Sequence, residues 1–201
     1  MLRDTALRAP RGTIMSIAVA VRKRRTTVIA ADTQSNFGDR RVTVDNHRAP
    51  KIRKVGAAYV ATSGWGIYDD IMRDYVTRVR TPSLKNEKEV FSFFMKLWKE
   101  LHERYSLVND QPHADDHQPF GDLDAAFLIA NKDAIMHVSG NMSVSRFEKY
   151  YAIGSGADFA LGALHVLYDR IADPEELARE ACATAMAFDV FCGGAIDVFT
   201  V

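Results

Sequence analysis

Short apolar runs separated by polar turns dominate the first third of the chain. Starting at Ser16, the sequence reads SIAVAVRK, then a polar pair at Arg24 and Arg25, then TTVIAAD. Two β-branched and alanine-rich runs joined this closely predict a hairpin of two strands. The run KIRKVGAAYVATSG, which ends at Gly64, predicts two further strands. We expect these early strands to form one sheet.

Helical periodicity follows the early strands. Apolar side chains recur at spacings of three and four within residues 65–80 and 86–107, and this spacing predicts two amphipathic helices. Residues 109–122 are polar and contain two prolines, so they predict a loop. The chain therefore passes from sheet to helices before it returns to strands.

The second half of the chain repeats this order. The runs DAAFLIANKDAIMHVSG and SRFEKYYAIGSG predict strands of a second sheet, and residues 156–170 and 174–188 have helical periodicity. Asp173 provides a helix N-cap, and Pro174 is the residue favoured at the first helical position. The run GGAIDVFTV predicts one more strand.

This order of elements predicts an α/β (α+β) fold, namely a four-layer α-β-β-α sandwich of two mainly antiparallel sheets flanked by helices. A length of 201 residues fits one domain with a core of its own. We expect residues 16–201 to form that domain, and residues 1–15 to be a leader, a propeptide or a misassigned start.

Charge and cysteine content narrow the function classes. Lys plus Arg and Asp plus Glu both total 26, so the formal net charge is zero and the chain lacks the basic field that non-specific nucleic-acid binding needs. Cys182 and Cys192 are too few for a secreted disulfide framework and lack zinc-ligand spacing. No run is apolar enough to span a bilayer, and the first residues do not form a secretory signal. We expect a cytoplasmic protein that binds neither nucleic acid nor membrane.

Four residues occupy positions suited to chemistry. Ser16 begins the first predicted strand and Asp32 ends the second, while Lys51 precedes the next pair and Gly64 lies at a strand-to-helix junction. Taken singly, each type has an ordinary structural role: aspartate caps turns, lysine lies on surfaces and glycine permits turns. Only the ordered combination favours a catalytic site.

Five ordered motifs extend this pattern over residues 16–194. They are Ser16-Ile17-Ala18-Val19, Ala30-Ala31-Asp32, Lys51-Ile52-Arg53-Lys54, Ile153-Gly154-Ser155-Gly156 and Asp189-Val190-Phe191-Cys192-Gly193-Gly194. In this order they resemble the proteasome β-subunit family, and most closely its bacterial HslV-type branch.

The resemblance implies an N-terminal nucleophile hydrolase, in which the side-chain oxygen of the first residue attacks a peptide carbonyl and its own α-amine accepts the proton. An α-amine has an ordinary pKa of about 7.7 to 8, so it can be a neutral base near physiological pH. A hydroxyl is a weak nucleophile until such a base takes its proton. Ser16 can serve only if residues 1–15 are absent from the mature chain, through initiation at Met15 and loss of that methionine or through cleavage.

The resemblance also implies a role for each matching residue. Lys51 would remain charged and lower the proton affinity of the nucleophile and the amine, and Asp32 would hold Lys51 through a charge-assisted hydrogen bond. The N–H group of Gly64, at a helix N-terminus, would bind the oxyanion. Ser155 and Asp189 would form hydrogen bonds around the amine and relay protons. The chemistry implied in this way requires no cofactor.

The sequence departs from the family's pattern in three places. The family usually has threonine where this chain has Ser16, and without a methyl group to restrict χ1 the hydroxyl is less restrained. Cys192 stands where the family usually has serine, and a thiol is a weaker hydrogen-bond partner. The segment between Asp32 and Lys51 is slightly longer than in the HslV branch. Thr13 is a rival nucleophile, but Ser16 matches the family's hairpin length without a gap.

Two other polar clusters invite functional interpretations. The histidines and aspartates of residues 113–117 suggest a metal site, yet the prolines around them and the absence of helical spacing favour a solvated loop. The cluster Arg22-Lys23-Arg24-Arg25 falls on the predicted hairpin turn, and in a neutral chain it indicates an exposed turn or a subunit contact.

The predicted function is therefore that of a proteasome-like peptidase subunit, which cleaves polypeptides with Ser16 inside homo-oligomeric stacked rings. The HslV branch works with a ring-shaped AAA+ ATPase, so such a partner is a family-level expectation. Two alternatives stay open. An N-terminal nucleophile amidohydrolase for small amides would have a pocket open to solvent, and a catalytically inactive ring scaffold would keep residues 1–15.

Overall fold

Two antiparallel sheets lie face to face, and a pair of helices covers the outer face of each. The computed structural model describes residues 15–37, 40–80, 82–105 and 121–201. This arrangement confirms the predicted four-layer α-β-β-α sandwich of two mainly antiparallel sheets. No helix within the described ranges has the length and apolar character needed to cross a bilayer.

The described residues contain eleven strands and four helices. The strands are β1 Ala18–Lys23, β2 Thr26–Asp32, β3 Asn36–Phe37, β4 Arg40–Arg41, β5 Ile52–Val55, β6 Ala58–Gly64, β7 Ala125–Ala130, β8 Ile135–Val138, β9 Val144–Phe147, β10 Tyr150–Ile153 and β11 Ile196–Thr200. The helices are α1 Gly66–Arg78, α2 Glu87–Arg104, α3 Ala157–Leu167 and α4 Pro174–Phe188.

The first sheet has the strand order β10-β1-β2-β11 and carries the predicted N-terminal hairpin. Its two-residue turn places Arg24 at a φ of +56°. The pairing of Ala18 with Ala31 brings the residue before β1 close to the end of β2. Ser16 and Asp32 therefore lie at the same end of this sheet.

The second sheet has the order β5-β6-β7-β8-β9, and this grouping differs from the sequence expectation. We expected the strands of residues 51–64 to share a sheet with the N-terminal hairpin. Instead β6 pairs with β7, for example through Ser63 and Ala126. The first sheet takes its outer strands from residues 150–153 and 196–200. Alternating apolar residues identify a strand but not its neighbour, so the sequence did not fix the grouping.

The helices begin and end close to their predicted positions. Asn86 and Asp173 cap α2 and α4 by accepting hydrogen bonds from backbone N–H groups of the first turn. Helix α3 is shorter than the predicted 156–170, and residues 106–107 of the second predicted helix lie outside the described residues. The small hairpin of β3 and β4 falls in a polar segment for which we expected no strand.

Small side chains line the interface between the two sheets. Alanines contributed by both sheets fill much of it, together with a few larger side chains such as Ile29 and Leu128. Alanine occupies little volume, so the backbones of the two sheets can approach closely. The helices bury larger residues: α1 and α2 cover the second sheet, and α3 and α4 cover the first. Close approach of the sheets is what allows residues from both to meet at one end.

Candidate active site

Ser16 lies two residues before the start of β1 and is 3% exposed. Its backbone N–H donates to the hydroxyl oxygen of Ser155 over 3.3 Å. Its carbonyl accepts from the N–H of Gly156 at 3.3 Å and from the Ser155 hydroxyl at 3.4 Å. The turn between β10 and α3 therefore holds both backbone polar groups of Ser16.

Asp32, at the end of β2, is fully buried and has four donors. Its Oδ1 accepts from the N–H of Ile17 at 3.0 Å and from Lys51 Nζ at 2.6 Å. Its Oδ2 accepts from the N–H groups of Gly193 at 3.0 Å and Gln34 at 3.3 Å. Backbone N–H groups and an ammonium stabilise a buried carboxylate in its charged form. One carboxylate thus connects the residue after Ser16, the predicted lysine and the Gly193 loop.

Asp189 and Cys192 occupy the loop that follows α4. Asp189 Oδ1 accepts from the N–H of Phe191 at 2.9 Å, and Oδ2 accepts from the Cys192 thiol at 3.2 Å. The Cys192 sulfur is 3.9 Å from the Ser155 hydroxyl oxygen. Burial, reinforced by the negative charge of Asp32, raises the pKa of Cys192, so the thiol keeps its proton and donates it. A chain of polar groups runs from Asp189 through Cys192 and Ser155 to Ser16.

Gly64 belongs to the second sheet, where it ends β6, and only the N-cap residue Trp65 separates it from α1. Its φ is +139°, and a Cβ atom there would lie 2.3 Å from the carbonyl oxygen of Asp124. Only glycine fits this position without strain. Direct contacts therefore join the predicted residues in two sets, and Gly64 lies on the sheet opposite Ser16. One set is Asp32 with Lys51, and the other is Ser16, Ser155, Cys192 and Asp189.

The turn beside Ser16 requires glycine at position 154. Its φ is +106°, and a Cβ atom there would lie 2.1 Å from the carbonyl oxygen of Ser16. Any larger residue would push the candidate nucleophile out of place. This glycine belongs to a motif named in the sequence, but its contact with Ser16 became visible only in the fold.

Two amides that the sequence did not single out hold the loop with Asp189. Gln34 is 3% exposed, and its Nε2 donates to the side-chain oxygen of Asn36 and to the carbonyl of Val190 at 3.1 Å. Asn36 Nδ2 donates to the carbonyl of Phe191 at 3.0 Å. The two carbonyl groups that they hold, those of Val190 and Phe191, lie more than 150 residues away along the chain. No local signal could therefore have revealed these contacts.

A cavity of about 430 Å³ opens beside this network. Asp189 and Cys192 form part of its wall, and Asn36 and Arg41 of the β3–β4 hairpin form another part. A larger cavity of about 680 Å³ between α1 and α2 contains none of the predicted site residues. The hydrogen-bond geometry therefore identifies the site, and cavity size does not.

Some predictions fall outside the described residues. The rival nucleophile Thr13, residues 1–14 of the leader, and the polar cluster of residues 113–117 are among them. Within the ranges that the structure describes, no three His, Cys, Asp or Glu side chains are grouped so that they could hold a metal ion.

Comparison with known proteins gives consistent relatives. No protein-family model matches the sequence. The proteasome subunit beta of Nanoarchaeum equitans is 26% identical over 192 residues, which cover 93% of each chain. The ATP-dependent protease subunit HslV of Rhizorhabdus wittichii is 27% identical over 183 residues, which cover 90% of this chain and 91% of the relative.

Solved structures extend the likeness to three dimensions. Thiobacillus denitrificans BPH, solved in complex with Epoxomicin, is 31% identical with a TM-score of 0.82, and the match covers 92% of this chain and 97% of that one. Eukaryotic HslV from Trypanosoma brucei shares the fold, with a TM-score of 0.64 at 22% identity over 92% of this chain and 98% of the other.

The sandwich of two sheets between helix pairs, with a polar network around Ser16 just ahead of β1, defines a hydrolase fold of the N-terminal nucleophile class. Within that class, the chain belongs to the family of proteasome β subunits and HslV-type peptidases. It is accordingly a threonine- or serine-type endopeptidase subunit.

Proposed function

We propose that this subunit hydrolyses peptide bonds with Ser16 as its N-terminal nucleophile, inside a chamber formed by homo-oligomeric stacked rings. The observation that carries the proposal is the position of the Ser16 nitrogen, which lies 3.3 Å from Ser155 Oγ. Proteolytic removal of residues 1–15, or initiation at Met15 followed by loss of that methionine, would convert this nitrogen into a free amine at the same place.

The α-amine of Ser16 serves as the general base. In its neutral form it accepts the hydroxyl proton as Ser16 Oγ forms a bond to the substrate carbonyl carbon. The charged amine then returns that proton to the leaving nitrogen as the peptide bond breaks, which leaves an ester on Ser16. A water molecule, deprotonated by the same amine, hydrolyses the ester and restores the hydroxyl. Ser155 orients the amine throughout.

Lys51 and Asp32 supply the electrostatic setting. The ammonium of Lys51 is 2.6 Å from a buried carboxylate oxygen that also accepts from the N–H of Ile17. This contact fixes a positive charge beside the residue that carries the nucleophile, where it stabilises the developing alkoxide. The N–H of Gly64, at the start of α1, binds the oxyanion of the tetrahedral intermediate.

Asp189 and Cys192 support the amine indirectly. The Asp189 carboxylate accepts the thiol proton, and Cys192 in turn lies beside Ser155. The relay orients the Ser155 hydroxyl and carries no net proton. Polypeptide is the proposed substrate, the cytoplasm the proposed location, and a ring-shaped AAA+ ATPase the proposed partner. The last rests on relatives described as subunits of an ATP-dependent protease.

Replacing Ser16 with alanine is expected to abolish hydrolysis of fluorogenic peptides, because the only atom that forms the acyl bond is removed. Intact mass of the purified wild-type protein should begin at Ser16. The matched control is Ser145→Ala, since Ser145 is an exposed serine on β9 and should leave the rate unchanged.

Two results would contradict this proposal. Full activity in Ser16→Ala would place the nucleophile elsewhere, with Thr13 as the next residue to substitute. An active protein whose mass still includes residues 1–15 would exclude the Ser16 amine as the base.

A further inference from the structure

Ser63 is a buried residue beside the candidate active site that the mechanism above does not use. It is 1% exposed, and its hydroxyl oxygen lies out of contact with solvent and has no hydrogen-bond partner among the described residues. A buried hydroxyl without a partner costs about 1 to 3 kcal/mol. Such a group calls for an explanation when it lies next to reacting residues.

The position of Ser63 suggests that explanation. Ser63 directly precedes Gly64 on β6, and alternation along the strand places it on the same face as Ala61, which packs between the two sheets. Its hydroxyl therefore points from the second sheet towards the first.

The contacts of Gly154 limit the distance between this hydroxyl and the Ser16 carbonyl. The Cβ position of Gly154 is 2.1 Å from the carbonyl oxygen of Ser16 and 3.1 Å from Ser63 Oγ. The sum of these two distances sets an upper limit of 5.2 Å between Ser63 Oγ and the Ser16 carbonyl oxygen. One bridging water can span that gap, and so can a direct hydrogen bond that replaces the long 3.4 Å contact from the Ser155 hydroxyl to the same carbonyl.

We infer that Ser63 is a positioning residue, whose hydroxyl donates towards the Ser16 carbonyl, directly or through one water, and so fixes the two sheets relative to each other at the site. The inference rests on the proposed function. The nucleophile lies on the first sheet, and the oxyanion donor Gly64 lies on the second. Their spacing depends on how the sheets meet, and a displacement of about 1 Å in such a pair can cost about a hundredfold in rate.

The ion pair of Lys51 with Asp32 already joins the sheets on one side of Ser16. Side-chain packing already holds the two sheets together, but a polar contact restrains distance and direction at the site more closely than apolar packing does. A second polar connection through Ser63, adjacent in sequence to Gly64, adds such a restraint. Ser63 therefore acts on the alignment of the reacting groups and does not itself touch the substrate.

The test compares Ser63→Ala with Thr27→Val. Thr27 is the matched control, because its hydroxyl is also buried and without a partner among the described residues, yet it belongs to β2 near the opposite end of the sheet from Asp32. We expect kcat for a fluorogenic peptide to fall roughly tenfold to a hundredfold in Ser63→Ala, with KM changed less than about twofold. Thr27→Val should keep the wild-type kcat, and Ser63→Thr, which retains the hydroxyl, should recover much of the rate.

The pH dependence of kcat distinguishes a role in aligning the reacting groups from a role in proton transfer. Ser63 does not contact the Ser16 amine, so Ser63→Ala should lower the rate equally at all pH values. A wild-type kcat in Ser63→Ala would overturn the inference, and so would equal losses of kcat in Ser63→Ala and Thr27→Val.

A high-resolution crystal structure provides a readout that does not depend on activity. Ser63 Oγ should lie within hydrogen-bond distance of the Ser16 carbonyl oxygen or of a water bound to it. A different partner for Ser63 would overturn the inference even if Ser16 proves to be the nucleophile. If the wild-type protein cleaves no peptide, the proposed function fails while this structural test still decides the role of Ser63.

Discussion

Asp32 is the residue on which most of the site depends. Its two oxygens accept from three backbone N–H groups and one ammonium, all directed at a carboxylate without solvent exposure. A carboxylate is acceptor-only when ionised and can take several donors, so it can order three separate stretches of chain. The position of Ile17, the residue after Ser16, is therefore set by a group fifteen residues away.

Asp32→Ala should destabilise the protein more than Lys51→Ala. Removing the Asp32 carboxylate leaves three backbone N–H groups and an ammonium that is only 10% exposed without their acceptor, at a cost of about 3 to 5 kcal/mol. Removing Lys51 leaves the carboxylate with its three N–H donors, and we expect a loss of about 1 to 3 kcal/mol. Urea denaturation measures both values.

Lys132→Ala is the control for this comparison, because Lys132 contacts Asp133 on the surface with both side chains largely exposed. Its unfolding free energy should change by less than about 0.5 kcal/mol. A loss in Lys51→Ala equal to or larger than that in Asp32→Ala would show that the ion pair, and not the backbone donors, stabilises this region.

The sequence identified Asp32, Lys51 and Ser155 through ordered motifs, and the structure brings each of them to its expected neighbour. It could not identify Gln34 or Ser63. A buried glutamine or serine has no distinctive spacing, and its importance comes from groups that only the fold brings near. Residues with conspicuous chemistry were therefore predictable, whereas residues that hold them in place were not.

At the level of elements, helices were easier to place than sheets. Asp173 and Pro174 mark the start of α4 within the sequence itself, because capping is a local interaction. Strand pairing is not local, since β1 takes its second partner from residues 150–153. The prediction of two strands between Lys51 and Gly64 was correct. That these strands belong to the second sheet could be seen only from the pairing of β6 with β7.

His137 gives the interface between the sheets a dependence on pH. It lies on β8, and its ring packs against Tyr151 of β10 at a centroid distance of 5.0 Å. Burial lowers the pKa of His137 below its ordinary value of 6.5. The unfolded chain therefore binds this proton more readily than the folded protein does.

Acidification should consequently destabilise the fold through His137. The free energy of unfolding is expected to fall as the pH drops below about 6.5, because the unfolded chain then takes up a proton that the folded protein binds less readily. In His137→Asn this part of the loss between pH 7.5 and 5.5 should disappear, as measured by urea midpoints. His165→Asn, at an exposed position of α3, should retain the wild-type dependence. An unchanged dependence in His137→Asn would show that other groups cause it.

For the whole molecule, the formal charge changes if the mature chain begins at Ser16, as proposed. Residues 1–15 contain three arginines and one aspartate, so the chain from Ser16 carries a formal charge of −2. A small net charge produces little repulsion between identical copies. Phe188 and Val190 are 68% and 77% exposed on the isolated subunit, next to the loop that holds Asp189.

We expect the mature chain to assemble, and the assembly to persist as salt rises from about 0.05 to 0.5 M, because repulsion between subunits is weak at any ionic strength. Light scattering coupled to gel filtration should give one mass that is an integer multiple of the subunit mass. A monomer at every salt concentration would rule out the proposed ring chamber.

The order of strands in the first sheet also affects when the site can form. Ser16 and Asp32 are synthesised early, but the sheet that carries them is completed by β10 and by β11, whose Ile196 pairs with Asp32. Until residues 193–200 have been synthesised, the sheet lacks that strand and the Asp32 carboxylate lacks the N–H donor of Gly193. The groups of the proposed active site can therefore come together only late in synthesis of this domain.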